Sequence, residues 1–181
     1  MPVTEKTFEQ IALEDDCGQW ELVDGHLREK PGMTHEHNDV AWWLGVTLQN
    51  QLPRDAFHVR VDAGYTSRGD ATYFSPDVMV IPVDLMAALR GTGRLEVYEA
   101  PLPFVAEVWS PSTGSYDIDT KFPEYRLRGD LEIWRVHPYE KSVIAWRRQP
   151  GGTYSESRYT SGAVPVESLP GVTIELSVLF G

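Results

Sequence analysis

The sequence predicts a single domain of the mixed helix-and-strand class, α/β (α+β), spanning residues 1–181. Three observations predict it. Residues 34–51 carry a long helical pattern of apolar positions. The runs Pro76–Ile81 and Phe104–Trp109 are continuously apolar apart from one carboxylate each, as expected of strands buried on both faces. Short alternating runs separated by tight-turn signals surround them, the pattern of antiparallel hairpins. The chain has 181 residues, 41% of them hydrophobic, enough to bury one sizeable core.

The elements follow in order. Thr4 can cap a short helix carrying Phe8, Ile11, Ala12 and Leu13. Asp24-Gly25 joins Gln19–Val23 to His26–Glu29 in a hairpin, which Pro31-Gly32 ends. The long helix starts at Thr34 or His35 and stops before Pro53. Its stripe is Val40, Trp43, Leu44, Thr47, Leu48 and Gln51, widened by Trp42. Phe57–Val61 and Gly64–Ser67 read as short strands, and Arg68–Tyr73 as a polar loop. After the first buried strand, Leu85, Met86 and Leu89 suggest a short helix, within an ambiguous stretch from Pro82 to Ala100.

After the second buried strand, Asp117 or Asp119 can cap a helix ending near Arg128-Gly129, with Ile118, Phe122 and Tyr125 as its buried stripe. Leu131–Val136, Ser142–Arg147 and Tyr154–Tyr159 alternate like three pairing strands. The tail from Gly162 to Gly181 reads as short apolar pieces packed over the sheet.

Composition narrows the function. Sixteen Lys and Arg against 27 Asp and Glu leave a formal charge of −11. That argues against a broad basic surface for nucleic acid, though not against a local basic groove. The single Cys17 excludes an intrachain disulfide and a cysteine zinc cluster, and a reducing compartment is the natural reading. The segment Met1–Lys6 lacks the features of a signal peptide, and no apolar run approaches the roughly 18 residues of a membrane span. A soluble, cytoplasmic protein without a membrane partner is expected.

Chemistry concentrates between Pro76 and Tyr125. Asp77 stands at the mouth of a buried strand, where it is either a hard-cation ligand or a turn residue bonding nearby amides. Glu107 sits within Phe-Val-Ala-Glu-Val-Trp. Alternation puts Val105, Glu107 and Trp109 on one face; a central strand would aim the carboxylate at a site or cation, an edge strand at solvent. Lys121 is one of four lysines and lies one turn from both Asp117 and Tyr125. It either serves an attacking water and the charge on phosphorus, or is an exposed lysine paired with Asp117. His35-Glu36-His37 cannot cluster as a zinc site, because residues one and two apart on a helix do not share a face. One of them reaching toward Asp77 and Glu107 fits better, and Glu21 on the hairpin is a further acidic candidate. Phosphate-loop, serine-hydrolase, zincin and dinucleotide motifs are absent.

Taken together, several segments resemble the Uma-two-type proteins. These are Trp20–Gly25, His37, Pro76-Asp77-Val78, Glu107–Thr113, Lys121 with Tyr125, and Asp130–Pro138. That mostly bacterial family is grouped with the PD-(D/E)XK restriction endonuclease-like superfamily. The resemblance covers most of the chain. It implies a restriction-endonuclease-like mixed β-sheet flanked by helices. It also implies a Mg²⁺ (or Mn²⁺) ion on Asp77 and Glu107, and hydrolysis of phosphodiester bonds in nucleic acid, DNA first. The superfamily lysine two residues after the second acid is replaced here by Trp109, and its role passes to Lys121. Asp77, Glu107 and Lys121 are then the catalytic set, with His37, Glu21 and Tyr125 auxiliary. For such a mechanism Arg68, Arg126 and Arg128 read either as backbone-phosphate contacts or as solvated surface arginines. His137 stands where the family commonly has Asp. Two other readings remain. One is an inactive nuclease-fold interaction module, a homodimer built on aromatics between Trp134 and Tyr159. The other is a hydrolase of small phosphorylated molecules.

Overall fold

The two apolar runs become the middle of a six-stranded sheet. In the computed structural model, which describes residues 2–15 and 18–181, they are β6 (Val78–Pro82) and β8 (Phe104–Val108). Met1 and Cys17, used above, lie outside the described residues. Every residue of β8 is buried, because strands cover both of its edges and helices or the tail cover both of its faces. The strand order is β11 (Tyr154–Tyr159), β10 (Ser142–Arg148), β9 (Glu132–His137), β8, β6 and β3 (Phe57–Val61). Within this sheet, among the described residues, only β8 and β9 run parallel. The helical crossover between them carries Lys121 and Tyr125.

A second sheet carries the predicted hairpin, β1 (Trp20–Val23) and β2 (His26–Glu29). Asp24 and Gly25 both take positive φ (49° and 78°), the conformation a two-residue hairpin turn requires. The stretch read as a polar loop is instead a second hairpin in this sheet, β4 (Tyr65–Gly69) and β5 (Thr72–Phe74). Its turn residues Asp70 and Ala71 also have positive φ, and Ala71 lacks the glycine that would have announced the turn. Within the ambiguous stretch stand α3 (Val83–Ala87) and the short strand β7 (Val97–Tyr98), which pairs parallel with β4. The tail forms β12 (Ala163–Pro165), β13 (Thr173–Glu175) and α6 (Leu176–Leu179), packed on the core as expected.

Thr4 caps α1 (Glu5–Glu14) and Thr34 caps α2 (His35–Gln51). The buried stripe of α2 is His37, Val40, Ala41, Leu44, Gly45 and Leu48. Trp42 and Trp43 were expected on that stripe but lie 59% and 46% exposed. Gly45 decides the rotation. It lets the helix lie so close to β3 that a Cβ there would stand 2.3 Å from a Val61 methyl. Small residues therefore face the sheet and the two indoles turn outward.

The helix after β8 also departs from expectation. Helical structure begins at Gly114 (α4, Gly114–Tyr116) and widens into a π-turn over Asp117–Lys121. It then continues as α5 (Phe122–Arg128), ended by left-handed Gly129. Neither Asp117 nor Asp119 caps it. The π-turn rotates Ile118 outward, to 41% exposure, while Asp117 and Lys121 are buried with Phe122 and Tyr125. Trp134, proposed above for an interface, is fully buried in the core and is removed from that role.

Replacing Gly45 by Ala tests the close α2–β3 approach. Helix propensity alone favours Ala by roughly 0.5–1 kcal/mol. Against the short, stiff Val61 side chain, overpacking of about 1–3 kcal/mol outweighs that gain. Urea denaturation of Gly45→Ala should show a lower midpoint than wild type; a higher one would mean that the approach is not tight.

Candidate active site

Sheet register brings the two acids together. Antiparallel β6 and β8 pair Val78 with Ala106, so one further step sets Asp77 opposite Glu107. Both are buried, at 2% and 1% exposure. Like charges facing one another across adjacent strands repel, and burial removes the water that would screen them. The surroundings supply the compensation from three other elements.

Lys121, on the π-turn, is itself buried and was not the exposed lysine that helix spacing allowed. Its ammonium lies 3.2 and 3.3 Å from the two Glu107 oxygens and 2.8 Å from Glu21 Oε1. The Tyr125 hydroxyl, one turn on, donates to Glu107 Oε1. Glu21, from β1, also accepts the Ser75 amide at 3.0 Å and the Tyr116 hydroxyl at 3.2 Å. His37 lies in the first turn of α2, whose Thr34 cap accepts the His37 amide. Its Nε2 meets Asp77 Oδ2 at 3.0 Å, and the Val108 amide donates to the same oxygen at 2.7 Å. All six residues singled out from the sequence thus fall in one buried network.

Two members were not singled out. Lys30, just beyond β2, places its ammonium 2.9 Å from Asp77 Oδ1 and 2.7 Å from Asp62 Oδ1. The Asp77 contact is an ion pair out of line for a hydrogen bond. The hairpin held a signal for it. Once Glu21 faces inward, its register partner Arg28 does too, and Lys30 follows by alternation. Asp117 was read only as a cap or a surface partner. It is 3% exposed, and its Oδ1 has no hydrogen-bond partner among the described residues.

The electrostatics follow from burial against these contacts. Burial alone would raise Asp77, but Lys30 and His37 overcome it and hold the carboxyl well below its ordinary range. Burial drives Glu107 well above its ordinary value, with Lys121 opposing. Burial lifts Asp117 to about 6, again against Lys121. Burial would lower Lys121, yet Glu107, Glu21 and Asp117 together raise it, so it stays cationic.

These groups line a cavity of about 10 Å³, close to the room one water or small ion needs. Glu21, Asp77, Glu107 and Asp117 face it with Arg28, Lys30 and Lys121. Lys30 is shared with Asp62, so acids outnumber cations. Among the described residues no three His, Cys, Asp or Glu side chains are arranged as a metal cage. Magnesium does not need one, since it keeps several waters and takes one or two protein carboxylates. The donor set fits a hard cation of that kind: two facing carboxylates, an acid excess, and buried Oδ1 atoms on Asp77 and Asp117 without hydrogen bonds.

The arginines named for phosphate contacts are engaged elsewhere. Arg128 is buried, with its guanidinium on Asp130 and on the carbonyls of Ser67, Tyr98 and Ala100. It fastens the end of α5 to β4 and β7 of the second sheet, which takes up its donors. Arg68 pairs with Glu124, and Arg126 lies over the Trp146 ring.

Removing the central cation should expose the repulsion. Lys121→Met leaves Glu21 and Glu107 buried without their shared partner, at a cost of about 3–5 kcal/mol near pH 7. The Glu107 carboxyl, already raised, rises further. An acid whose folded pKa exceeds its unfolded value gains folded-state stability as pH falls, so the gap to wild type should narrow between pH 7 and pH 5. Denaturant titrations at both pH values measure it, and a gap that widens in acid contradicts the assignment.

The Uma2 family model, described as "Putative restriction endonuclease", matches residues 6–178. A crystal structure titled as that of a putative nuclease belonging to DUF820 from Anabaena variabilis ATCC 29413 has the same fold. It superposes with a TM-score of 0.78 at 17% identity, over 99% of this chain and 98% of that one. No curated protein matches the sequence. With the family model matching nearly from end to end, the chain belongs to the Uma2 family of restriction-endonuclease-like proteins.

Proposed function

We propose that the protein is a metal-dependent nuclease that hydrolyses phosphodiester bonds of nucleic acid, DNA first. The carrying observation is the facing pair Asp77 and Glu107 on adjacent central strands, buried with Lys121 between Glu107 and Glu21. Family membership supports the same reading. Asp77 and Glu107 would hold Mg²⁺ or Mn²⁺, with Asp117 Oδ1 available to a water of the ion. Bound there, the ion polarises the scissile phosphate and lowers the pKa of a coordinated water.

The chain's own residues then have separate tasks. His37 and the Val108 amide hold Asp77 Oδ2, while Oδ1 faces the Lys30 ammonium. Tyr125 fixes Glu107 Oε1 and so sets the tilt of that carboxylate. Lys121 keeps its proton, which excludes it as a base and suits it to orienting the attacking water and offsetting charge on phosphorus. Lys30 does the same for charge on the Asp77 side. Water is added across a P–O bond: the attacking oxygen releases a proton to solvent and the departing sugar oxygen takes one up.

Purified wild type should nick plasmid or cut single strands only with Mg²⁺ or Mn²⁺, and Asp77→Asn or Glu107→Gln should lower the rate at least about 100-fold. Metal-independent cleavage, no cleavage, or an undiminished Glu107→Gln would each defeat the proposal. Calorimetry supplies a readout free of turnover. His37→Ala should weaken Mn²⁺ binding about 10- to 100-fold by releasing the Asp77 carboxylate, and unchanged affinity would remove Asp77 from the ligand set.

A further inference from the structure

The register that pairs the acids continues across the sheet. Glu107 pairs with Arg135 on β9, Arg135 with Ile144 on β10, and Ile144 with Arg158 on β11. Cross-strand partners point to the same face. One row of side chains therefore carries the acids at its inner end and two guanidiniums toward the outer edge. Arg135 is half-buried, and among the described residues its guanidinium has no hydrogen bond or ion pair. In the same sheet Arg60 and Arg147 are committed to Glu96 and Glu132, while Arg148, at the exposed end of β10, is like Arg135 in having no such partner among the described residues. Arg158 is held only by a solvent-exposed pair with Glu140.

The next row along the same face is aromatic. Trp109, two residues after Glu107, stacks on His137, two residues after Arg135, with centroids 4.3 Å apart and planes 14° apart. Tyr139 meets the Trp109 ring edge-on at 5.8 Å and is half exposed. The Tyr139 hydroxyl is pinned at 3.1 and 3.0 Å to Thr34 and Glu36, in the same first turn of α2 that delivers His37. Trp109 itself is seated on Gly114, where a Cβ would lie 2.0 Å from the indole nitrogen. The rings are thus held in place beside the acid pair.

We infer that Arg135, Trp109 and Tyr139, with Arg158 beyond, form a subsite for a single strand of nucleic acid leaving the acid pair toward β11. The inference rests on the nuclease reading and names its substrate class. Phosphate meets the uncommitted Arg135, and an unpaired base stacks on the Trp109–His137–Tyr139 surface. Sequence-tolerant binding of single strands needs this combination of cation and aromatic plane. A duplex keeps its bases stacked internally and would instead demand the broad basic surface that a protein of charge −11 lacks.

The test is anisotropy of a short fluorescein-labelled oligothymidylate and of a duplex of equal length, in Ca²⁺, where binding is read without turnover. The oligothymidylate should bind more tightly. Two phosphate contacts predict a slope of log K against log salt of about −1.4, and Arg135→Gln should halve it to about −0.7. Trp109→Leu should weaken binding about tenfold, with circular dichroism verifying the fold. Tyr139→Ala, at an exposed position, should weaken it severalfold and carries the stacking arm if Trp109→Leu fails to fold. Equal or tighter duplex binding, an unchanged slope in Arg135→Gln, or full affinity in Tyr139→Ala overturns the subsite. Cleavage of duplex without single-strand preference would remove the subsite and leave the nuclease. Single-strand preference without metal-dependent cleavage would do the reverse.

Discussion

Asp77 and Glu107 face each other from adjacent strands in a position without solvent, and the architecture around them answers that repulsion. Each ion taken out of water costs several kcal/mol even after relaxation. Neither strand can supply a counter-ion, because every other residue of β6 and β8 is apolar. The cations must come from elsewhere in the chain. Lys30 arrives from the hairpin sheet and Lys121 from the crossover helix, while His37 comes from the N-terminus of α2.

That requirement explains the irregular geometry of the crossover. A regular helix starting at Asp117 would bury Ile118 with Phe122 and Tyr125. The π-turn over Asp117–Lys121 instead turns Asp117 and Lys121 inward and Ile118 outward. An apolar contact is exchanged for a buried charge pair. Such an exchange does not favour stability on its own and marks a site where charge is needed. Gly114 and Gly45 do similar work at a distance. One lets Trp109 lie flat beside the acids, and the other lets α2 sit close enough to β3 for His37 to reach Asp77.

Charge is also partitioned by position. The buried cations are committed: Arg128 to carbonyls of the second sheet, Arg147 to Glu132, and Lys30 and Lys121 to the acid cluster. The excess of acids over cations therefore falls at the cavity and on the outer surface. Arg135 stands apart from both, beside the acids and without a partner among the described residues.

Much of this was legible in one dimension. Continuous apolar runs identify the central strands, Asp24-Gly25 identifies the hairpin, and Thr4 and Thr34 identify two helix starts, because each depends on residues near in sequence. A carboxylate inside Phe-Val-Ala-Glu-Val-Trp is conspicuous for the same reason, and the order of Asp77, Glu107, Lys121 and Tyr125 carries the family resemblance. The Asp70-Ala71 hairpin was not legible because its turn lacks the expected glycine, and the outward turn of Trp42 and Trp43, the π-turn and the burial of Trp134 were not, since each is decided by packing against other elements. Lys30 illustrates the limit. It lies 47 residues from Asp77 in sequence and 2.9 Å from it in space. By itself the sequence determined which residues are acids in apolar strands and where those strands and most of the helices begin. Only the tertiary structure decided which cations meet them, because sheet register and helix packing, not proximity along the chain, select the partner of a buried charge.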